Sequence, residues 1–237
     1  MRNDFLVANW ENLVVATFET ERKLLQPFVP PGTELNDWNG RCCMSLVAFM
    51  FSNTSLMGIP CPFYRSFEEL NLRFYVRRKE GSTWKKGVVF IKEIVPAKLI
   101  GWAGKLFYRE NFISLSMRHA IYTGTNSQHV EYYWMLKKQT NYLKIQSSLL
   151  PAIPGANTLD TFISAHYTAF TRKGANRTLS FTIQHTPWKV YPALAFDMRI
   201  DARVLYGDGF AEAFQQKPLA AFLMDGSRTL VSAPSLI

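Results

Sequence analysis

Glu69, Asn71, Arg73 and Tyr75 occupy every second position of the run Glu69-Leu70-Asn71-Leu72-Arg73-Phe74-Tyr75-Val76. In an extended strand this spacing places all four on one face and Leu70, Leu72, Phe74 and Val76 on the other. A face carrying an acid, an amide, a guanidinium and a phenol can hold a small polar ligand. Arg73 offers a planar fork of donors that suits a carboxylate or a carbonyl. Glu69 can orient that fork or act as a general base. The same alternation also describes a solvated sheet face, the usual place of such residues. Spacing alone leaves both arrangements open.

Other residues with chemical potential are scattered. His185 and Trp188 flank the bend that Pro187 fixes in His185-Thr186-Pro187-Trp188. They pack there or line a small-molecule pocket. A desolvated lysine can be a nucleophile near neutrality. Lys105, however, falls on the wheel with Lys98, opposite Leu99, Trp102 and Leu106, which is a solvated position. His166 sits in an apolar helical stripe and reads as a core histidine with one hydrogen bond. Cys42, Cys43 and Cys61 form no CxxC and no Cys/His cluster. They read as reduced, half-buried thiols, with Cys42 and Cys43 on opposite strand faces. There is no Ser/His/Asp constellation, phosphate loop, GxGxxG or paired metal ligand, so no cofactor and no metal are expected.

The elements that must position these residues are mainly strands. Alternation and aromatic content predict strands over Cys42–Phe51, Glu69–Arg78, Trp84–Val95, Leu115–Thr123, His129–Lys137, Tyr142–Ser147, Thr178–His185 and Leu194–Ile200. Glu80-Gly81-Ser82-Thr83 reads as a hairpin tip. Helices are predicted over Glu21–Phe28, Ala97–Arg109, Leu159–Phe170 and Phe210–Gln216. Pro96 opens the second, whose apolar stripe is Leu99, Trp102, Ala103 and Leu106; Thr158 caps the third. Many strands with short turns imply an antiparallel barrel or sandwich with a few peripheral helices. The stretch Leu150–Asn157 is linker-like but joins parts of one unit, so residues 1–237 are read as a single domain.

The chain has 237 residues, of which 48% are hydrophobic and 19% charged, enough for a substantial core. No run reaches the roughly 18 apolar residues of a membrane helix. Met1-Arg2-Asn3-Asp4-Phe5 lacks the apolar core of a secretory signal, so a cytoplasmic protein is expected. The net charge of +9 raises the question of nucleic acid. Its scatter argues for weak, nonspecific binding at most, lost at physiological salt.

Four segments resemble the YqjF-like family of the acetoacetate decarboxylase-like superfamily. They are Trp10-Glu11-Asn12-Leu13 with Leu25 to Gly32 and the strand ending Val47-Ala48-Phe49; Glu69 to Val76; Gly87-Val88-Val89-Phe90 with Leu106-Phe107-Tyr108; and His185 to Trp188. The resemblance implies a mainly β fold: a closed, cone-like antiparallel barrel around a ligand pocket, with association into oligomers. It turns the polar face of the Glu69 strand toward the lumen. Glu69, Asn71, Arg73, Tyr75, Tyr108, His185 and Trp188 then become the ligand-binding candidates. The implied ligand is a carboxylate or carbonyl compound such as a keto acid, bound by an enzyme or by a non-catalytic module. Acetoacetate decarboxylases carry a lysine pair near the step after Tyr108, one lysine forming a Schiff base. Here that step reads Arg109-Glu110-Asn111-Phe112. Relatives also tend to have Glu-Arg-Tyr where this chain has Ala165-His166-Tyr167. Schiff-base decarboxylation is therefore not expected.

Overall fold

A computed structural model describes residues 4–152, 155 and 157–237. The first half of the chain is built from β1 (Asp4–Glu19), α1 (Arg22–Leu25), β2 (Glu34–Leu35), β3 (Cys43–Leu56), β4 (Ile59–Pro60), β5 (Phe67–Glu80), β6 (Thr83–Val95), α2 (Lys98–Tyr108) and β7 (Phe112–Ser114). There follow β8 (Met117–Thr123), β9 (Gln128–Leu136), β10 (Gln139–Ser147), α3 (Leu159–Ser164), β11 (Thr168–Arg172) and β12 (Thr178–Gln184). The chain ends with β13 (Val190–Arg199), α4 (Ala202–Tyr206), α5 (Asp208–Ala213), β14 (Ala220–Ser232) and β15 (Ser235–Leu236).

The fold is mainly β. Its main path runs β15-β12-β11-β6-β5-β3-β1-β14-β13-β10-β9-β8. β12 also pairs with β14, through Ile183↔Val231 and Gln184↔Leu230. Pairing is antiparallel except where β6 meets β11 and β7. Two apolar clusters occupy opposite faces of the central strands. Leu70, Leu72, Phe74 and Val76 pack in one, with Trp134 and Leu143 of the β8–β10 ladder and with Leu25, Leu205 and Phe210 from helices. Tyr75, Val47, Phe49 and Trp10 belong to the other, which α3 joins through Leu159 and Ile163. Cys42 falls in the first cluster and Cys43 in the second, as alternation requires.

Two irregularities aim side chains. In β5 and β6 the register slips between Leu72↔Lys92 and Arg73↔Phe90, leaving Ile91 as an extra residue. In β1 it slips between Glu11↔Met50 and Val14↔Ala48, where Asn12 takes a left-handed φ of 55°. Gly226 lies opposite Glu11 at φ 85°, and a Cβ there would stand 1.9 Å from the Trp10 carbonyl oxygen. Gly226→Ala therefore meets backbone that cannot yield. It is expected to cost at least about 3 kcal/mol and to lower Tm by on the order of 10 °C. A soluble variant that melts with the wild type would contradict this reading.

Several sequence expectations need correction. The third helix ends at Ser164; His166 to Phe170 lie beyond it and enter β11. Thr158 holds the N-cap position, but its hydroxyl donates to Gly155 O and accepts from no backbone N–H of the helix. Pro96 precedes the N-cap Ala97. The α2 stripe is not buried: Leu99, Trp102 and Leu106 are more than half exposed, while Gly101 faces the sheet. The strands β1, β2, β4, β7, β11, β14 and β15 were not anticipated; the two long ones, β1 and β14, pair with each other along most of their length. Residues 1–3 of the N-terminal reading, and residues 153, 154 and 156 of the linker-like stretch, lie outside the described residues.

Candidate functional site

The polar face of β5 is buried throughout. Glu69, Asn71, Arg73 and Tyr75 are all less than 9% exposed. The bulge sets what stands beside them. Asn71 pairs with Glu93, so the two carboxylic acids Glu69 and Glu93 meet diagonally across the ladder. A third acid comes from the end of α2. Arg109 adopts the left-handed conformation at the helix C-cap (φ 57°, ψ 25°) and reverses the chain. β7 can then run parallel to β6, pairing Phe112 with Glu93. Asn111 anchors the turn by donating Nδ2 to Ile91 O at 3.1 Å. Gly104 lets the helix approach, because any Cβ there would collide with the Phe112 ring. Glu110 is thereby carried into the interior, where Thr171 donates to its carboxyl.

Glu69, Glu93 and Glu110 line one small cavity of about 70 Å³, with Trp10, Phe51, Phe90, Tyr108 and Phe181 among its walls. Burial in this apolar shell disfavours the charged form of each acid. Burial pushes Glu69 up to about 7, against the hydrogen bonds from Asn71 and Glu93 and the charge of Arg73. Burial pushes Glu110 up to about 8, with the Thr171 hydrogen bond pulling the other way. Glu93 rises well above the carboxylate range, through burial and then the charges of Glu69 and Glu110. Glu93 thus keeps a proton and donates it to Glu69, whose other support is Asn71 Nδ2 at 3.1 Å from Oε1. Among the described residues, Glu93 Oε1 meets no hydrogen-bond partner.

Of the sequence candidates, Glu69 and Tyr108 line this cavity. Burial raises the Tyr108 phenol, so it stays protonated near neutrality. Asn71 touches the cavity only through Glu69. Arg73 does not line it, but its charge is within electrostatic reach of Glu69 and Tyr75. Tyr75 sits deeper still. Its hydroxyl closes a chain with Ser45 (2.6 Å) and Thr17 (2.7 Å), and its ring packs on Phe162 and His166. His166 is a core histidine, bonded to Asn36 Nδ2 at 3.1 Å and pushed down to about 3 by burial. His185 stacks on Trp188 at 3.6 Å, and Trp188 donates to Ser227 and adjoins Trp10. This stacked pair stands outside the walls of the acidic cavity. Lys105 is exposed. Glu93 and Glu110 were not singled out from the sequence. The signal was slight: each acid lies between apolar residues, in Ile91 to Val95 and Phe107 to Ile113, but with Lys92 and with Arg109 and Asn111 as polar neighbours.

A second cavity, of about 430 Å³, shares Leu6, Phe51, Glu69, Tyr108 and Phe112 with the first. It lies under α2 and the loop carrying Cys61 to Tyr64. Among the described residues no lysine lines either cavity.

The sequence profile of a family described as an uncharacterized conserved protein matches residues 7–228. The uncharacterized protein YqjF of Bacillus subtilis is 24% identical over 190 residues, covering 78% of this chain and 75% of its own. The fold is similar to that of acetoacetate decarboxylase from Legionella pneumophila, with a TM-score of 0.70 and 10% identity over 98% of this chain and 86% of that one. It is also similar to the enduracididine biosynthesis enzyme MppR complexed with pyruvate, with a TM-score of 0.65 and 10% identity over 98% and 90% of the two chains. At such identities these structural likenesses establish architecture alone.

Proposed function

The chain belongs to the YqjF-like DUF2071 family of uncharacterised conserved proteins, and from that premise, together with a fold similar to that of acetoacetate decarboxylase, we propose an acid–base enzyme acting on a small carbonyl compound, of the keto-acid class or related to it. The observation that carries this reading is the grouping of Glu69, Glu93 and Glu110 around one cavity, with their proton affinities pushed into and above the neutral range. Titratable groups tuned apart in one cavity are the usual basis of paired acid and base roles. We read the surrounding sheet as a closed antiparallel barrel, supported by the β12–β14 pairing.

In the proposed step, Glu69 as carboxylate takes a proton from the carbon next to the carbonyl. The carbonyl oxygen takes the proton of Glu93, and the electron pair of the broken C–H bond becomes the double bond of an enol. The reverse step returns a solvent proton to carbon. Neither half needs an imine. The fold neighbours include an acetoacetate decarboxylase and an enzyme complexed with pyruvate. Both concern carbonyl compounds, which supports the substrate class without fixing the reaction.

The test uses butanone in deuterated buffer near neutral pH. NMR is expected to show enzyme-dependent loss of the protons next to the carbonyl. Glu69→Gln should slow this exchange by about 10²- to 10⁴-fold. Borohydride added to the mixture should trap no ketone on the protein. Exchange that survives Glu69→Gln, or a stoichiometric lysine adduct, would refute the mechanism. The competing reading is a non-catalytic ligand-binding module, for which binding without exchange is the signature.

A further inference from the structure

The two cavities differ in kind. The inner one, at about 70 Å³, accommodates a head group only. Ligand pockets generally span roughly 300–1,000 Å³, and only the outer cavity, at about 430 Å³, reaches that range. A ligand whose head reaches the acids must therefore take most of its contact area from the outer cavity.

That outer cavity is lined by Phe63, Leu99, Ile100, Ala103 and Phe107 above the shared floor of Phe51 and Phe112. Among the described residues no Lys, Arg or His lines it, and its one ionisable carboxyl is Glu69 at the floor. Cys61 adds a thiol that burial keeps protonated. A ligand carrying a carboxylate would find no cation to pair with in either cavity, since Arg73 lines neither. A desolvated, unpaired charge is costly. A neutral apolar chain, by contrast, gains from every methylene it buries.

Resting on the carbonyl reading above and narrowing it from keto acids to their uncharged relatives, we infer that the substrate class is a neutral carbonyl compound with an alkyl tail, its head among Glu69, Glu93 and Tyr108 and its tail in the cavity under α2. The exposed stripe of α2 then has a role. Leu99 is 56% exposed, and it lines this cavity.

The linear methyl ketones from butanone through decanone separate the possibilities. Dissociation constants, taken from ligand-observed NMR on the full chain, are expected to tighten by about fourfold per added methylene until the tail fills the cavity. The corresponding keto acids should bind more weakly than the ketones of equal length. Ala103→Phe fills the outer cavity from the helix side. It should weaken the long ketones at least tenfold and by a larger factor than it weakens butanone. Leu99→Gln, a milder change at a largely exposed helix position, should weaken the long ketones in the same order. Chain-length independence, or keto acids binding better than ketones, overturns this inference even if butanone exchange succeeds. Long ketones that bind with the expected increments but do not exchange sustain the inference and overturn the catalytic reading.

Discussion

Raising the pH from about 5.5 to about 8 is expected to lower the folding stability of this protein by on the order of 1 kcal/mol per pH unit. Glu69 and Glu110 hold their protons up to about 7 and about 8 in the folded chain, because burial penalises their charged forms, and Glu93 holds its own higher still. Unfolded glutamates release theirs near 4.3. Between those values the folded state binds more protons. The resulting stability is fully present below the unfolded value and is lost as pH rises through the folded values. His166 acts in the opposite sense. Burial pushes it down to about 3, so it contributes stability that is present above about 6.5 and lost as pH falls. It offsets one glutamate below about 6.5 and none above. The slope should therefore be steepest around pH 6.5 to about 7 and should lessen toward about pH 8 as Glu69 and then Glu110 give up their protons. Urea unfolding across this range measures it directly. A flat or rising profile above about pH 6.5 would mean that the three acids are already ionised in the folded chain.

Arg73→Met should have an effect of similar size, and its pH dependence identifies the cause. Sequence reasoning casts Arg73 as a ligand fork. In the structure it is a buried cation that does not line the cavity, 7% exposed, and its charge favours ionised Glu69. Its charge reaches Glu69 without a direct ion pair, so removing it together with a buried stem should cost about 1–3 kcal/mol. At about pH 8 the variant should lose that much, and Tm should fall by several degrees. At about pH 5.5 Glu69 can take up a proton and become neutral, so much of the loss should disappear. Equal losses at both values would show that Arg73 contributes packing rather than charge.

Much of this architecture could be read from the residues in order. The face of Glu69, Asn71, Arg73 and Tyr75 obeys period two without interruption, and it is buried as a face. The hairpin tip at Gly81 and the opposed Cys42 and Cys43 follow from the same geometry. What escaped has identifiable causes. β1 mixes Asn and Glu into its alternation and carries a left-handed Asn12, which breaks the period where the strand bends. β14 contains Gly226 and Asp225, residues that signal a turn, because its backbone must approach Trp10 closely. The α2 stripe has helical spacing, yet its buried side is Gly101, where close approach to β7 matters more than apolar surface. Glu93 and Glu110 are 17 positions apart and adjoin only through the reversal at Arg109. Long-range pairing of that kind leaves no periodic trace.

The bulge between β5 and β6 selects a functional group. Val88 and Phe90 face the cluster that contains the acids, while Val89 and Ile91 face the opposite one. Strict alternation would continue with Lys92 turned inward and Glu93 turned away. The extra residue inverts the phase. Lys92 is sent out to lie against Tyr206 and the Leu205 carbonyl, and Glu93 is turned into the cavity. Were β6 to run on without the bulge, the same sequence would present an amine where it now presents an acid. One extra residue in a strand decides which of two opposite functional groups, a carboxyl or an amine, this cavity receives.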